Sequence, residues 1–257
     1  MDDAALLHEV LVATRRAFVP LPDTRVVERP GWMQLVTPSL RGGGMNEVRL
    51  AALAPADVDA VIDATLAEYR ALGIRFRWTV GPDSSPPDLA DRIAARGLVA
   101  ERSLGLARAL AGLAVPPAPG VTVAPVDAQN VEVFSEVMGR GWGMDPGPLL
   151  ALNRHVLAAG GGRAPMYLAC LDGQPAAAAA SFLLPRSAYL MGAVVLPEHR
   201  GRGLYRALIS ARAQAAARQG LTIVTTLARE ATSAPILRRL GFAVVCRLTV
   251  LVDRPAG

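Results

Sequence analysis

Two glycine-punctuated blocks constrain this chain more than any other feature. In the first, a helix-forming stretch from Pro55 to Leu72 stops at Gly73 and a strand-like run follows at Ile74–Val80. A polar loop, a short helix at Asp88–Arg96, Gly97 and a strand-like run at Leu98–Leu110 complete it. In the second, the helix-forming stretch Leu204–Arg218 is followed by Gly220, a strand at Leu221–Leu227 and a loop. A short helix at Ala234–Leu240, Gly241 and a last strand at Phe242–Val252 close the block. The two blocks are offset by 147 residues at the first glycine and 144 at the second. Ala94-Ala95-Arg96-Gly97-Leu98 stands opposite Arg238-Arg239-Leu240-Gly241-Phe242. Glycine ends helices because the left-handed position past the last turn costs it little. A repeated helix–strand–helix–strand order predicts an α/β chain made of two related halves.

The remaining segments fit that plan. Residues 2–18 read as an amphipathic helix with Asp2 and Asp3 in its first turn, where the helix dipole favours acids. Short strands are expected at Val26-Val27 and Met33–Val36, and a longer one at Asn46–Leu53. Three prolines mark residues 112–120 as a linker between domains at 1–111 and 121–257. The second domain opens with a strand at Val121–Pro125 and a helix at Asp127–Met138. A loop at Gly139–Gly147 and a helix at Pro148–Ala159 follow. Asp172-Gly173 between apolar runs at Met166–Leu171 and Gln174–Leu184 is a strong hairpin signal.

Chemistry concentrates at Val194–Arg206, between the apolar run Ala188–Leu196 and the helix at Leu204–Arg218. Gly201 and Gly203 lie in the turn, with Arg200, Arg202 and Arg206 around them. A glycine turn opening a helix exposes backbone N–H groups, and the helix dipole and arginines add positive charge. Such a corner suits a di- or triphosphate. A P-loop is excluded because it requires lysine and the chain has none; a dinucleotide fingerprint needs three spaced glycines and a following acid. The first-half counterpart, displaced by 147 residues, is Leu50–Ala56, which carries neither Arg nor Gly. Only the second half therefore holds a phosphate corner.

Composition sets wider limits. Across 257 residues, 52% are hydrophobic, enough for a sizeable core. The net charge of +5 comes entirely from arginine and suits an anionic ligand. The arginines are scattered without a long basic run, which speaks against nucleic acid as the main partner. Cys170 and Cys246 sit in apolar runs and read as buried free thiols, with no metal-ligand spacing. The acidic N-terminus does not resemble a signal peptide and no apolar run reaches about 18 residues. A soluble, cytoplasmic protein without a metal is expected.

Pro197-Glu198-His199-Arg200-Gly201-Arg202-Gly203, after a strand and before a helix, resembles the acetyl-coenzyme-A loop of the GNAT (GCN5-related) N-acetyltransferases. That loop reads Arg/Gln-x-x-Gly-x-Gly/Ala; Arg200 and Gly203 match, and Tyr205 stands where a second small residue is usual. Thr232–Phe242 resembles the family's final helix and its Leu-Gly-Phe exit. The resemblance implies a mixed, mostly antiparallel sheet flanked by helices, in two tandem domains of which the first is degenerate. It implies acetyl-CoA as acyl donor and a primary amine as acceptor, with direct transfer in a ternary complex. Backbone groups of Ala193, Val194 and Val195 would bond the pantetheine arm. The N–H groups of Gly201, Arg202, Gly203, Leu204, Tyr205 and Arg206 would hold the pyrophosphate, with Arg200, Arg202 and Arg206 supplying charge. A homodimer is compatible with it, as is an acyl-CoA-binding protein with little turnover.

The catalytic groups stay open. The family's usual acid, a tyrosine four residues before the glycine of Gly-Phe, is replaced by Leu237; Tyr205, Tyr189 or water are substitutes. Glu230 is a candidate base, and Glu136, Asp145 and His155 fall in the segment that would shape the acceptor pocket. Trp142 is expected to pack either on the acceptor or in the core.

Overall fold

In the computed structural model, which describes residues 2–113 and 115–253, helices and strands follow one another in the order the glycine spacing predicts. The first half runs α1 (Asp3–Leu7), β1 (Arg25–Arg29), β2 (Trp32–Val36), β3 (Glu47–Ala51), α2 (Val58–Ala71), β4 (Arg77–Val80), α3 (Leu89–Ala94) and β5 (Val99–Ala109). The second half runs β6 (Val121–Pro125), α4 (Val131–Trp142), α5 (Pro146–Ala159), β7 (Met166–Leu171), β8 (Gln174–Leu183) and β9 (Ala188–Val195). It ends with α6 (Leu204–Arg218), β10 (Ile223–Arg229), α7 (Ser233–Arg239) and β11 (Ala243–Val252).

Two expectations need correction in detail. The N-terminal helix is irregular: after α1 it widens to a π turn at His8–Val12 and tightens to a 3-10 turn at Ala13–Arg16. Thr14 Oγ1 donates back to the Val10 carbonyl at 2.9 Å, a bond that bends helices. The expected loop from Gly139 is instead the last turn of α4. Its glycines are there for closeness: a Cβ on Gly139 would stand 2.9 Å from the Met144 carbonyl oxygen, and one on Gly141 would stand 2.1 Å from Val194 Cγ2. Helix propensity yields to packing at these positions.

The chain forms two compact units, each assembled from three segments. The first comprises Met1–Val19, Leu106–Leu227 and Arg238–Val245; the second comprises Pro20–Gly105, Ala228–Leu237 and Cys246–Gly257. In the first, strands pair in the order β10-β9-β8-β7-β6, antiparallel except for the parallel pair β9–β10. In the second the order is β1-β2-β3-β4-β11, antiparallel except for the parallel pair β3–β4. The last strand of each half is divided between the two units. Cys246–Val252 of β11 runs beside β4, with Thr249 opposite Val80 and Val252 opposite Arg77. The end of β5 belongs with β10, and Leu110 N–H donates to the Thr222 carbonyl at 2.8 Å.

Each unit has its own core. In the second, Trp32 meets Trp78 edge-on, with centroids 5.6 Å apart, and Tyr69 stacks on Phe76 at 4.1 Å. Ile62, Leu66, Leu89, Ile93 and Leu251 close around them. In the first, both faces of the sheet are covered. Phe134, Met138 and Leu149 of α4 and α5 pack with Leu168, Val194 and Leu196. Leu204 and Leu208 of α6 pack with Tyr167, Ala169, Ala177 and Ala179. The alanine run of β8 leaves room for helices on both sides, and each fully buried Leu or Phe contributes about 1.5–3 kcal/mol. Within the expected linker, Val115 lies against α6: its N–H donates to Ser210 Oγ at 3.0 Å.

Candidate functional site

The apolar run of β9 is sheet-forming, yet its pairing with β10 stops early. Only Ala188, Tyr189 and Leu190 have partners there, Val224, Thr225 and Thr226. Thr226 Oγ1 donates to the Leu190 carbonyl at 2.8 Å and closes the ladder. From Met191 to Val195 the edge of β9 that would continue this ladder has no strand partner among the described residues. A strand edge in that state presents backbone donors and acceptors to an extended ligand.

A bulge sets which groups face the edge. Ala178 pairs with Val194 and Ala180 with Met191, so β9 uses one residue more than β8. Gly192 stands in the bulge at φ +60°, a left-handed backbone that side chains disfavour; a Cβ there would make only ordinary contacts, 3.5 Å to Trp142 and 3.8 Å to Ala180. Beyond it, Leu196 N–H donates to the Ala176 carbonyl at 2.9 Å. By strand alternation Val194 also turns its backbone to β8 and Val195 turns its own to the open edge. Arg200 Nε approaches the Val195 carbonyl there, at 3.4 Å. Of the three strand residues expected at the site, Val195 therefore presents its backbone outward, Val194 is spent on β8 and Ala193 lies in the bulge.

The edge leads directly into the glycine turn. A 3-10 turn at Pro197–His199 precedes Gly201, whose Cβ position is open, and Gly203, at φ +86°, precedes α6. Gly203 is required twice: by its backbone angle, and because a Cβ would stand 2.9 Å from that of Ala118. No side chain caps α6 and its first turn has no acidic residue. The first N–H groups of α6, from Leu204 through Tyr205 and Arg206, thus lack a capping side chain at the positive end of a 15-residue helix. Arg202 and Arg206 are exposed, and no carboxylate among the described residues pairs with either. The corner can hold a phosphate pair.

Three acidic groups near the site are otherwise engaged. Glu198 accepts from Arg140 Nη2 at 2.8 Å; its own backbone N–H, then the charges of Arg140 and His199, hold its carboxyl below the usual range. Asp145 caps α5 by accepting from Gly147 N–H at 2.9 Å. Glu230 belongs to the second unit and accepts from Arg247 Nη1 at 2.9 Å. Glu136 is exposed on α4 and His155 half-buried on α5. Leu237 is fully buried, so an aliphatic group stands where an acid was sought. Tyr205 is half-buried on the first turn of α6, and Tyr189 packs with Phe182 and Met191. Trp142, 40% exposed, sets its ring beside Gly192 and forms an aromatic wall at the bulge. Burial pushes the Cys170 and Cys246 thiols up, which makes them poor nucleophiles. Among the described residues, no helix is long and apolar enough to cross a membrane, and no three His, Cys, Asp or Glu could hold a metal ion.

Sequence reasoning missed two features of this site. The bulge glycine, Gly192, sits inside an apolar run, and an isolated glycine in a strand is the one signal that could have found it. Arg212, beneath the bulge, is one of several arginines in an alanine-rich helix and carries no such signal.

Comparison with known proteins bears on the fold. Residues 132–242 match the model of the acetyltransferase (GNAT) family. No protein of curated function matches the sequence. Among solved structures, the chain is similar to a GCN5-related N-acetyltransferase from Kribbella flavida, with 21% identity and a TM-score of 0.66 over 99% of this chain and 96% of that one. It is also similar to a tandem GNAT protein from the clavulanic acid biosynthesis pathway, at 19% identity and a TM-score of 0.60, over 96% and 88% of the two chains. A GCN5-related N-acetyltransferase from Sphaerobacter thermophilus matches at 17% identity and a TM-score of 0.61, over 91% and 77%. At such identities the likeness is one of fold, and the fold is a tandem GNAT arrangement.

Proposed function

We propose, from the membership of residues 132–242 in the GNAT acetyltransferase family, that the protein transfers acetyl from acetyl-CoA to a primary amine. The observation that carries this reading is the continuity of the unpaired β9 edge with a glycine turn and two arginines free of carboxylates. The pantetheine arm adds to the edge at Val195 and extends the sheet by one strand. The pyrophosphate lies on the first N–H groups of α6, with Arg202 and Arg206 beside it. The match with Gly201, Arg202, Gly203, Leu204, Tyr205 and Arg206 favours the family's mode of holding the donor.

In the ternary complex the amine nitrogen attacks the thioester carbonyl carbon. The new C–N bond forms as the C–S bond breaks, and the electron pair leaves on sulfur. A backbone N–H at the edge stabilises the charge that develops on the carbonyl oxygen. An amine with a lysine-like pKa must first lose a proton. Glu198 and Asp145 are bound to Arg140 and to a helix cap, so water takes that proton, and the second proton that the nitrogen sheds as the amide forms passes through water to the thiolate. Trp142 bounds the acceptor side.

Isothermal titration with acetyl-CoA, followed by thiol release across a panel of primary amines, tests the reading. One equivalent bound and thiol release with at least one amine are expected. No binding would sink it. A second reading, acyl-CoA binding without turnover, is favoured by the aliphatic Leu237 and the engaged carboxylates; it predicts binding with no thiol release from any amine.

A further inference from the structure

Behind the open edge of β9 lies a buried cation that the acyl-transfer reading leaves unused. Arg212, in the middle of α6, is 2% exposed and meets no carboxylate among the described residues. Its Nε donates to the Leu208 carbonyl at 3.0 Å, and its Nη1 donates to the carbonyls of Ala180 at 3.0 Å and Met191 at 3.4 Å. Ala180 and Met191 are the register partners at which the β8–β9 ladder enters the bulge. The extra residue in β9 disrupts the ladder, and a buried carbonyl left without a donor costs about 1–3 kcal/mol. Arg212 supplies the donor from below the sheet.

The arrangement is expensive for a merely structural one. Burial pushes the guanidinium down to about 10, against the opposing influence of Tyr205 and Tyr167, so it still carries its charge at neutral pH. An unpaired buried charge is disfavoured relative to a well-packed apolar side chain of similar volume. What the arginine adds is a fixed strand phase. Without the bulge the ladder would run on in regular register, and a shift of one residue would turn Val194 to the open edge and Val195 inward.

We propose that Arg212 is a positioning residue: it clamps the β9 bulge in the phase that turns the Val195 backbone to the open edge, and it places a positive charge behind the strand against which the acyl carbonyl lies. The clamp stands on geometry alone. The part that concerns the acyl group rests on the acetyltransferase reading.

Two substitutions test it: Arg212→Met, which fills the space without donors, and Arg212→Lys, which keeps the charge with shorter reach. Hydrogen exchange on the ligand-free proteins reads the clamp directly. Amides from Leu190 to Leu196 exchange at least about 10-fold faster in Arg212→Met, while those of β3 in the second unit are unchanged. Equal rates in wild type and variant overturn the clamp. With acetyl-CoA and an accepted amine, kcat of Arg212→Met falls by about 100-fold, the scale of a misplacement near 1 Å, while the Kd for acetyl-CoA changes less than about 3-fold. An unchanged kcat, or a Kd that rises in step with the loss of kcat, overturns the positioning role. Should Arg212→Met fail to fold, Arg212→Lys carries the same two measurements with a kcat loss of about 10-fold and the same overturning results. If wild type binds no acetyl-CoA, the acetyltransferase reading falls and the exchange result decides the clamp by itself.

Discussion

The two parallel strand pairs, β3–β4 and β9–β10, start alike and end differently. Each pairs over two or three residues and then parts, at Val48 opposite Trp78 in one unit and at Leu190 opposite Thr226 in the other. Past Leu190 the edge of β9 stays open. Past Val48 the edge of β3 is taken by the chain itself. Ser85 N–H donates to the Ala51 carbonyl at 3.0 Å, Leu53 N–H donates to the Ser85 carbonyl at 3.0 Å, and Ala52 bridges Ser85 in parallel. The helix starts differ as well. Where α6 begins at Gly203 with no acid in its first turn, α2 begins at Asp57 with Asp59 close behind. Neither caps the helix with its side chain, and Asp59 pairs with Arg92 and Arg96, but both place negative charge at the positive end of α2, where a phosphate would meet like charge. On the acetyl-CoA reading, the second unit has replaced its ligand with its own backbone and its phosphates with its own acids. Losing the glycines alone would leave an empty slot; this slot is filled.

The largest expected effect breaks this comparison outright if it fails. Titration should find one acetyl-CoA per chain, and Gly203→Val should weaken binding severely. The substitution forces a β-branched residue to φ +86° and into Ala118, and strain of about 3 kcal/mol at the corner implies weakening of about 100-fold. Ala56→Val, the corresponding insult at the closed corner, should leave affinity untouched. A second equivalent bound by wild type would refute the closed slot.

Next in size is a change confined to the closed unit. Glu47, buried where β3 and β4 still pair, accepts from Arg77 at 3.0 Å, Arg49 at 3.1 Å and Thr79 at 2.9 Å. Burial alone would raise its carboxyl, but Arg77 and Arg49 outweigh burial and hold it below the ordinary value of 4.5. A depressed native pKa contributes stability that is present above the unfolded value and is lost as pH falls through the native one. Glu47→Gln should therefore cost about 2 kcal/mol at neutral pH, less than a fully buried pair because Arg77 is half-exposed. The gap in Tm should narrow as pH falls below 4.5 and acetyl-CoA affinity should not change. A Tm gap that persists unchanged in acid would show that packing, not charge, is at stake.

Local signals carried the elements well and their partnerships poorly. Gly73, Gly97, Gly220 and Gly241 marked real helix ends, and the spans of β6 and α6 match the pattern of their residues. The glycine turn and its arginines were legible for the same reason: a backbone that must be left-handed next to a helix start leaves its mark in composition. Gly139 and Gly141 misled because glycine signals a break and a close approach with the same letter; only Val194, far along the chain, tells which. The division of β5 and β11 between the units was illegible. Both are apolar strands at matching places in a repeat, and nothing in either distinguishes β4 from β10 as a neighbour. Ser85 read as part of a turn-rich loop, because the bonds that seat it are made by its backbone and not by its type. Arg212, in an alanine- and arginine-rich helix, carries no local sign of its burial.

A smaller effect sharpens the charge side of the comparison. Arg202→Gln and Arg206→Gln should each weaken acetyl-CoA binding by about 5- to 10-fold at low salt, as expected for exposed charge-assisted contacts to phosphate. Titrations repeated near 0.5 M salt should shrink the deficit to about 2-fold, because screening at that ionic strength removes most of what an exposed arginine contributes. A deficit independent of salt would mean that the arginines shape the loop and do not meet the phosphates.

The smallest effect separates what fills the closed slot from what decorates it. Ser85 holds its place by two backbone bonds to Ala51 and Leu53, and its hydroxyl adds one more, to the Leu53 carbonyl at 3.2 Å. Ser85→Ala removes only that last bond. A half-buried hydroxyl bond of this length contributes about 0.5–1 kcal/mol, so calorimetric unfolding should register a loss of that size and titration should still find a single acetyl-CoA. If instead a second equivalent binds, the serine hydroxyl is the latch and the slot of the second unit is a gated site. If stability and stoichiometry both hold, the backbone bridge suffices, and the second unit is closed by the path of its chain whatever side chain stands at 85.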